Sequence, residues 1–210
     1  MSNFIIMEGV DGCGKTTQIN LLTTYLDDKL EGEVVPTREP GGSPLGETDR
    51  EFIMQKHKDL DDISKAYLMM LARRDHMKNL ILPVLAEGGT IVTDRFIDST
   101  NIYQTLSGEV ARHQVKTAFN NLCSPLDPLL SPTAIIVLSI DYDEYTRRMK
   151  GRGDTNGFDP VSRKQFDDVA TAYKRYQYYN AEKYHYINGA GSPEDVHGRI
   201  GKALKPLIST

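Results

Sequence analysis

The stretch Glu8-Gly9-Val10-Asp11-Gly12-Cys13-Gly14-Lys15-Thr16-Thr17 decides the reading of this chain. Its spacing is G-x-x-x-x-G-K-T. Before it, Phe4-Ile5-Ile6-Met7 is an apolar run of the right length for a buried strand. After it, Thr17-Gln18-Ile19-Asn20-Leu21-Leu22 continues at helical spacing. Strand, glycine loop and helix in that order make the phosphate-binding P-loop. Glycines let the backbone close around phosphates without a Cβ in the way. The amides opening the helix point at the anion, and the helix dipole favours it. In such a loop Lys15 reaches the β- and γ-phosphates and the Thr16 hydroxyl ligates magnesium. Gly9, Gly12, Cys13, Gly14, Lys15, Thr16 and Thr17 are therefore the residues expected to bind a nucleoside triphosphate. An ordinary strand–turn–helix with spare glycines is the alternative, and these flanks weigh against it.

The rest of the composition narrows the class. With 210 residues, one domain over 1–210 with a sizeable core is expected. Hydrophobic residues at 39% and charged residues at 26% suit a soluble globular protein. A net charge of −4 argues against a general nucleic-acid binder, so basic residues matter where they cluster. Cys13 and Cys123 imply no disulfide framework and point to a reducing compartment, the cytoplasm. Met1-Ser2-Asn3 and the four apolar residues after it are too short for a signal sequence, and no run reaches membrane-spanning length.

Along the chain, strands and helices alternate. Helices are expected from Lys15 to about Lys29, from Leu45 to about Met54 and, longest of all, from Leu60 to Leu85, where Pro83 is placed to interrupt the pattern. Further helices are expected over Ile97–Tyr103, Glu109 to about Leu122, Asp143–Lys150, Val161–Lys183 and Pro193–Leu207. Strands are expected at the opening run, Glu33–Arg38, Thr90–Asp94, Ala134–Ile140 and Tyr184–Asn188. The alternation predicts an α/β fold: a parallel sheet of about five strands with helices on both faces, in three layers. The loop Glu39-Pro40-Gly41-Gly42-Ser43-Pro44 follows a strand end, which is the ligand side of a parallel sheet.

Three clusters carry further chemistry. Asp94-Arg95 follows the third predicted strand. Asp94 matches the carboxylate that holds magnesium, directly or through water, or it is a simple helix cap or surface partner of Arg95. Arg95 is placed to clamp a phosphate bidentately. In Arg147-Arg148-Met149-Lys150-Gly151-Arg152-Gly153, Arg148 and Arg152 share one helical face. That run is either a solvated face or the start of a lid, about 147–160, that lays arginines on the transferring phosphoryl group. In Arg73-Arg74-Asp75-His76, one arginine is expected to point into the cleft and His76 to lie on the helix surface. Phosphoryl transfer between nucleotides needs no strong base, because the acceptor phosphate is already anionic.

Three blocks taken together resemble the thymidylate kinases, a family of nucleoside-monophosphate kinases. They are Phe4 to Gly12 running into the P-loop, Thr37-Arg38-Glu39-Pro40-Gly41-Gly42, and Asp94-Arg95-Phe96 with Ser99 and Tyr103-Gln104. The resemblance implies transfer of a phosphoryl group from ATP, with magnesium, to a deoxypyrimidine 5′-monophosphate, most simply dTMP, by a homodimer. It implies that Asp11 lies near the acceptor sugar and phosphate, that Arg95 binds the acceptor phosphate, and that Arg73 recognises the base. Tyr103 would pack on the deoxyribose. Thr100 and Gln104 would lie by the base, and Glu39, Pro40 and Arg50 would wall the acceptor site. With Gly12 in the loop, Arg148 and Arg152 of the lid become the transition-state arginines, beside Lys15 and Arg95. Cys13 reads as a small packing residue. Met69 stands where the family usually has a phenylalanine stacked on thymine; either it replaces one apolar wall with another, the favoured reading, or it loosens the choice of base, so that dUMP or a modified pyrimidine monophosphate becomes a possible acceptor. After Gly153 the lid also departs from the family pattern, and Arg163 and Lys164 are candidates to replace the missing basic charge. A deoxynucleoside kinase is the alternative enzyme, disfavoured by the Thr37–Gly42 block. A GTP-binding switch would read guanine with Asn-Lys-x-Asp, which the sequence lacks.

Overall fold

A computed structural model describes residues 2–52, 60–104, 109–124, 126, 131–151, 161–179 and 182–208, without the side chains of 109–111 and 176–179. The first strand, β1 (Asn3–Gly9), is buried at every position. Its centre, Phe4–Met7, can be continuously apolar because the strand has a neighbour on each side and helices above and below. β2 (Val34–Arg38), β3 (Thr90–Asp94), β4 (Ala134–Ser139) and β5 (Tyr184–Asn188) complete a parallel sheet in the order β2-β3-β1-β4-β5. Met7 pairs with Asp94 on one side and Ile136 on the other. The chain visits β2 and β3 on one side of β1, then crosses to β4 and β5. The loops after β1 and β3 therefore meet at the carboxyl edge, where sheets of this kind bind ligands.

α1 (Lys15–Asp27) packs Ile19, Leu22 and Leu26 onto the sheet. α2 (Pro44–Glu51) starts at Ser43, whose side chain accepts the Gly46 N–H. α3 (Asp62–His76) starts at Asp61, which accepts the Ser64 N–H. The single long helix expected over Leu60–Leu85 is instead α3, a π-helical turn at Met77–Ile81, and α4 (Leu82–Ala86). The break sits just before Pro83, which has no N–H to give to the turn before it and whose ring crowds that turn. α5 (Ile97–Tyr103), α6 (Glu109–Leu122), α7 (Tyr142–Gly151) and α8 (Arg163–Tyr179) follow the sequence expectation to within a few residues, though α8 ends short of Lys183. α9 (Pro193–Leu204) opens with a capping box between Ser192 and Asp195 and ends before Leu207.

One buried contact ties α5 to the far edge of the sheet. The Tyr184 hydroxyl of β5 donates to Asp98 Oδ2. Burial and the nearby Glu8 charge push the Asp98 carboxyl up to about 7. An unfolded aspartate titrates near 3.9, so between about pH 4 and 7 the folded chain holds a proton that the unfolded chain has released. Stability therefore falls as pH rises through that window and levels above it. In Asp98→Asn this component is gone. Urea denaturation at pH 5 and pH 8 should show a smaller loss for the variant than for the unmodified chain; equal losses would contradict the assignment.

Candidate functional site

A cleft of about 1490 Å³ opens over the carboxyl ends of β1, β2 and β3. The P-loop forms its floor. Gly12 (φ 75) and Gly14 (φ 104) take left-handed backbone angles, which a Cβ would strain. Gly14 is also the N-cap of α1 and offers no side chain to the helix, so the first-turn amides remain available for an anion. Lys15 is only 6% exposed, and its Nζ donates to the carbonyls of Gly9 and Val10, each at 3.2 Å. Thr16 and Thr17 are exposed and line the cleft. Gly9 is not among the lining residues. A Cβ there would run into the Leu138 carbonyl, so this glycine serves the approach of β1 to β4. Cys13 is buried, and burial pushes its thiol up, the setting of an unreactive packing residue.

Arg95 stands at the junction between the loop and the far half of the cleft. It is the described non-glycine residue with positive φ (70), a strained angle of the kind found where a side chain must be aimed. Its Nη2 donates to Asp11 Oδ1 at 2.6 Å and its Nη1 to Ser99 Oγ at 2.7 Å. The guanidinium lies 5.1 Å from the Tyr103 ring centre. Beneath it, Glu8 is fully buried and accepts from the Phe96 N–H (2.9 Å), the Ser99 N–H (3.3 Å), the Ser99 hydroxyl (2.6 Å) and the Tyr173 hydroxyl (2.8 Å). This buried carboxylate ties the start of α5 to α8 and holds the residues around Arg95 in place.

The outer half of the cleft is built on α3 and the Glu39–Gly42 loop. Arg73, 3% exposed, donates from Nε to Glu39 Oε2 at 2.6 Å and from Nη2 to Thr100 Oγ1 at 3.0 Å. Arg74 instead donates to the Leu122 carbonyl, so of the sequence pair Arg73 is the one in the cleft. Met69 lines the cleft while Met70 beside it is core. Arg50 donates to the Pro40 carbonyl at 3.2 Å, and Gln104 is buried at the cleft wall. Burial pushes the Tyr103 hydroxyl well above its ordinary value, so it stays protonated. His76 corrects a sequence expectation: it is completely buried, between Thr37 and Glu39, and not on the helix surface.

α7 brings Arg148 over the P-loop. Its Nη1 donates to the Cys13 carbonyl at 2.9 Å and its Nη2 to the Gly189 carbonyl at 2.8 Å, while Nε pairs with Glu144 at 2.7 Å. Hydrogen bonds from Arg147 and Arg148 hold the Glu144 carboxyl at about 2. Arg152 and most of the expected lid lie outside the described residues. Arg163 and Lys164 pair with Asp167 and Asp168 on the outer surface of α8, away from the cleft lining. Asp94 Oδ1 is buried with no hydrogen-bond partner among the described residues. Such an orphaned acceptor fits a cation or its bound water. One carboxylate and the Thr16 hydroxyl suit magnesium, which keeps waters and takes its other ligands from substrate phosphates.

The sequence profile of the thymidylate kinase family matches residues 7–200. The chain belongs to the thymidylate kinase family. It is a phosphotransferase of that type. It is 31% identical over 205 residues to the thymidylate kinase of Cupriavidus pinatubonensis, covering 97% of this chain and 98% of the relative. It is 38% identical over 173 residues to that of Wolbachia pipientis wMel, covering 80% and 84%. The crystal structure of the thymidylate kinase from Ehrlichia chaffeensis superposes with a TM-score of 0.75 at 27% identity, over 97% of this chain and 98% of the other. The α/β P-loop kinase fold is thus that of the family.

Within that family frame, Glu8, His76 and Tyr173 are site residues that sequence reasoning missed. Glu8 carried one usable signal, a charge ending an otherwise apolar central strand. Tyr173 carried none, because it is one tyrosine of several in α8.

Proposed function

We propose that this chain transfers the γ-phosphoryl group of ATP to the 5′-phosphate of dTMP, giving ADP and dTDP. The observation that supports it best is the Arg95–Asp11 pair at 2.6 Å, which sets a phosphate-binding guanidinium directly against the P-loop. The P-loop amides and Lys15 hold the donor phosphates. Arg95 holds the acceptor phosphate, whose oxygen attacks the γ-phosphorus as the bond to ADP breaks. No base is required. Tyr103 packs on the deoxyribose, and Arg73, Thr100, Gln104 and Met69 surround the base. Arg148, with Arg152, neutralises charge on the transferring group. Thr16 and Asp94 would hold magnesium, which shields the phosphate charge. The reading extends to one kinase domain over 1–210 working in the cytoplasm, a reducing compartment in which the buried Cys13 and Cys123 stay as thiols.

An ADP-release assay with dTMP, dUMP, dCMP and thymidine tests this. Turnover of dTMP above the others is expected; turnover of thymidine and of no monophosphate would overturn it. Met69 favours a second reading, in which dUMP or a modified pyrimidine monophosphate is also accepted, because a flexible thioether defines ring shape less tightly than a phenyl group. Met69→Phe should then raise the dTMP:dUMP ratio of kcat/KM; an unchanged ratio places Met69 away from the base.

The proposal includes a homodimer. Leu45 and Phe52 by α2, and Tyr67 and Leu71 on α3, are large apolar side chains exposed on two helices that pack together. Large apolar side chains left exposed on neighbouring helices are what a partner surface would cover. In sedimentation, Leu71→Asp should shift the chain from dimer to monomer. A dimer that survives the change must use another face.

A further inference from the structure

His76 lies on the last turn of α3, one turn beyond Arg73, and none of its surface reaches solvent. Both ring nitrogens are engaged. Nδ1 is 3.1 Å from Glu39 Oε1, and Nε2 is 2.8 Å from Thr37 Oγ1 on β2. A carboxylate only accepts, so Nδ1–H donates to Glu39; in the neutral ring Nε2 then accepts from the Thr37 hydroxyl. The other Glu39 oxygen accepts from Arg73 Nε. One buried carboxylate is thus shared between an imidazole and a guanidinium. Bonded at Oε2 alone, it could turn about its Cγ–Cδ bond; the imidazole removes that freedom. Gly42 closes the far side. It has φ 76, and a Cβ there would run into both Thr37 Oγ1 and His76 Nε2.

What this chain of contacts holds is the plane of Arg73. Nε is taken by Glu39 and Nη2 by Thr100, while among the described residues Nη1 meets the weak acceptor Met70 Sδ, at 3.3 Å. A guanidinium has donors and no acceptor. Held in plane, it suits a base edge that carries a carbonyl and opposes one that carries an amino group. Turned out of plane, it loses that distinction.

We propose that His76 is a positioning residue for acceptor-base recognition: backed by Thr37, it fixes Glu39, which fixes the donor face of Arg73 toward a pyrimidine edge that carries a carbonyl in place of an amino group. The inference rests on the monophosphate-kinase reading above. It assigns base selectivity to a residue that touches no substrate.

The test uses the full chain with dTMP and dCMP as acceptors, reading kcat/KM for each, KM for ATP and the melting temperature. His76→Phe fills the volume without a donor. It should lower the dTMP:dCMP ratio by about ten-fold, through KM for dTMP, with KM for ATP within about two-fold. His76→Asn places an amide N–H near the Nδ1 position and should restore most of the ratio. Thr37→Val leaves every group that touches Arg73 in place and should lower the ratio by about three-fold, which keeps the test open if His76→Phe does not fold. A ratio unchanged in Thr37→Val and in the folded His76 variants, with activity or melting temperature falling for both acceptors alike, would overturn the inference alone. An unmodified chain that does not phosphorylate dTMP would overturn both this inference and the functional reading.

Discussion

Lys15→Ala loses about 10²–10³-fold in kcat, the cost of removing one preorganised donor from developing phosphate charge. The reason lies in how the ammonium is held. Nζ rests on the carbonyls of Gly9 and Val10 and stands 3.9 Å from Asp11 Oδ1, so a buried cation waits at the centre of the loop. When donor phosphates arrive they meet a charge that needs no further ordering. Alanine removes the charge but leaves the glycine angles and the first amides of α1 as they are. Steady-state kinetics should therefore show the loss in kcat, with a smaller change in KM for ATP. Activity retained within a few-fold, or a loss confined to KM, would mean that Lys15 does not act on the transferring group.

Glu39→Ala is expected to destabilise the fold more than an ordinary substitution in a loop. Arg73 and Glu39 are both buried, and the alanine leaves a guanidinium in the interior without its counter-charge. Breaking a buried pair in this way costs about 3–5 kcal/mol. For a chain of this size that is a drop in melting temperature of roughly 6–20 °C. His76 Nδ1 loses its acceptor at the same time. The double variant Glu39→Ala/Arg73→Leu should recover part of the loss, because it removes the stranded charge. Scanning fluorimetry on the three proteins checks both statements. A single variant that melts within about 2 °C of the parent would show the guanidinium reaching water by another route.

How much of this was legible beforehand depends on where each signal resides. β1 and β4 lie inside the sheet and read as apolar runs, and β3 as the β-branched Thr90-Ile91-Val92-Thr93, so their existence and nearly their ends follow from composition. The P-loop, the Thr37–Gly42 block and Asp94–Gln104 are each local in sequence; the P-loop residues were identifiable from spacing, Asp94 and Arg95 from their place after a strand, and the other cleft residues from the family resemblance these blocks carry. Arg73 was separable from Arg74 only through the family resemblance, and α3 shows why: the partners that distinguish them are Glu39 and Thr100 for one, and the Leu122 carbonyl for the other. The π turn before Pro83 was less legible, since a periodic apolar pattern tolerates one widened turn.

His76 and Glu8 mark the limit more sharply. A polar letter on a helix or at a strand end looks the same whether it faces water or a buried partner. Glu8 and Tyr173 are 165 positions apart, yet they share a hydrogen bond of 2.8 Å. Periodicity reports which face meets an apolar core; it carries no record of which polar groups satisfy one another across it. The residues alone specified a parallel α/β sheet and a P-loop, because these depend on local backbone angles and apolar period; the further cleft positions were read through the family resemblance. The tertiary structure alone decided the strand order, the arrangement of Glu8, Ser99 and Tyr173 under Arg95, and the Thr37–His76–Glu39–Arg73 chain, because each depends on groups distant in sequence satisfying one another where water is excluded.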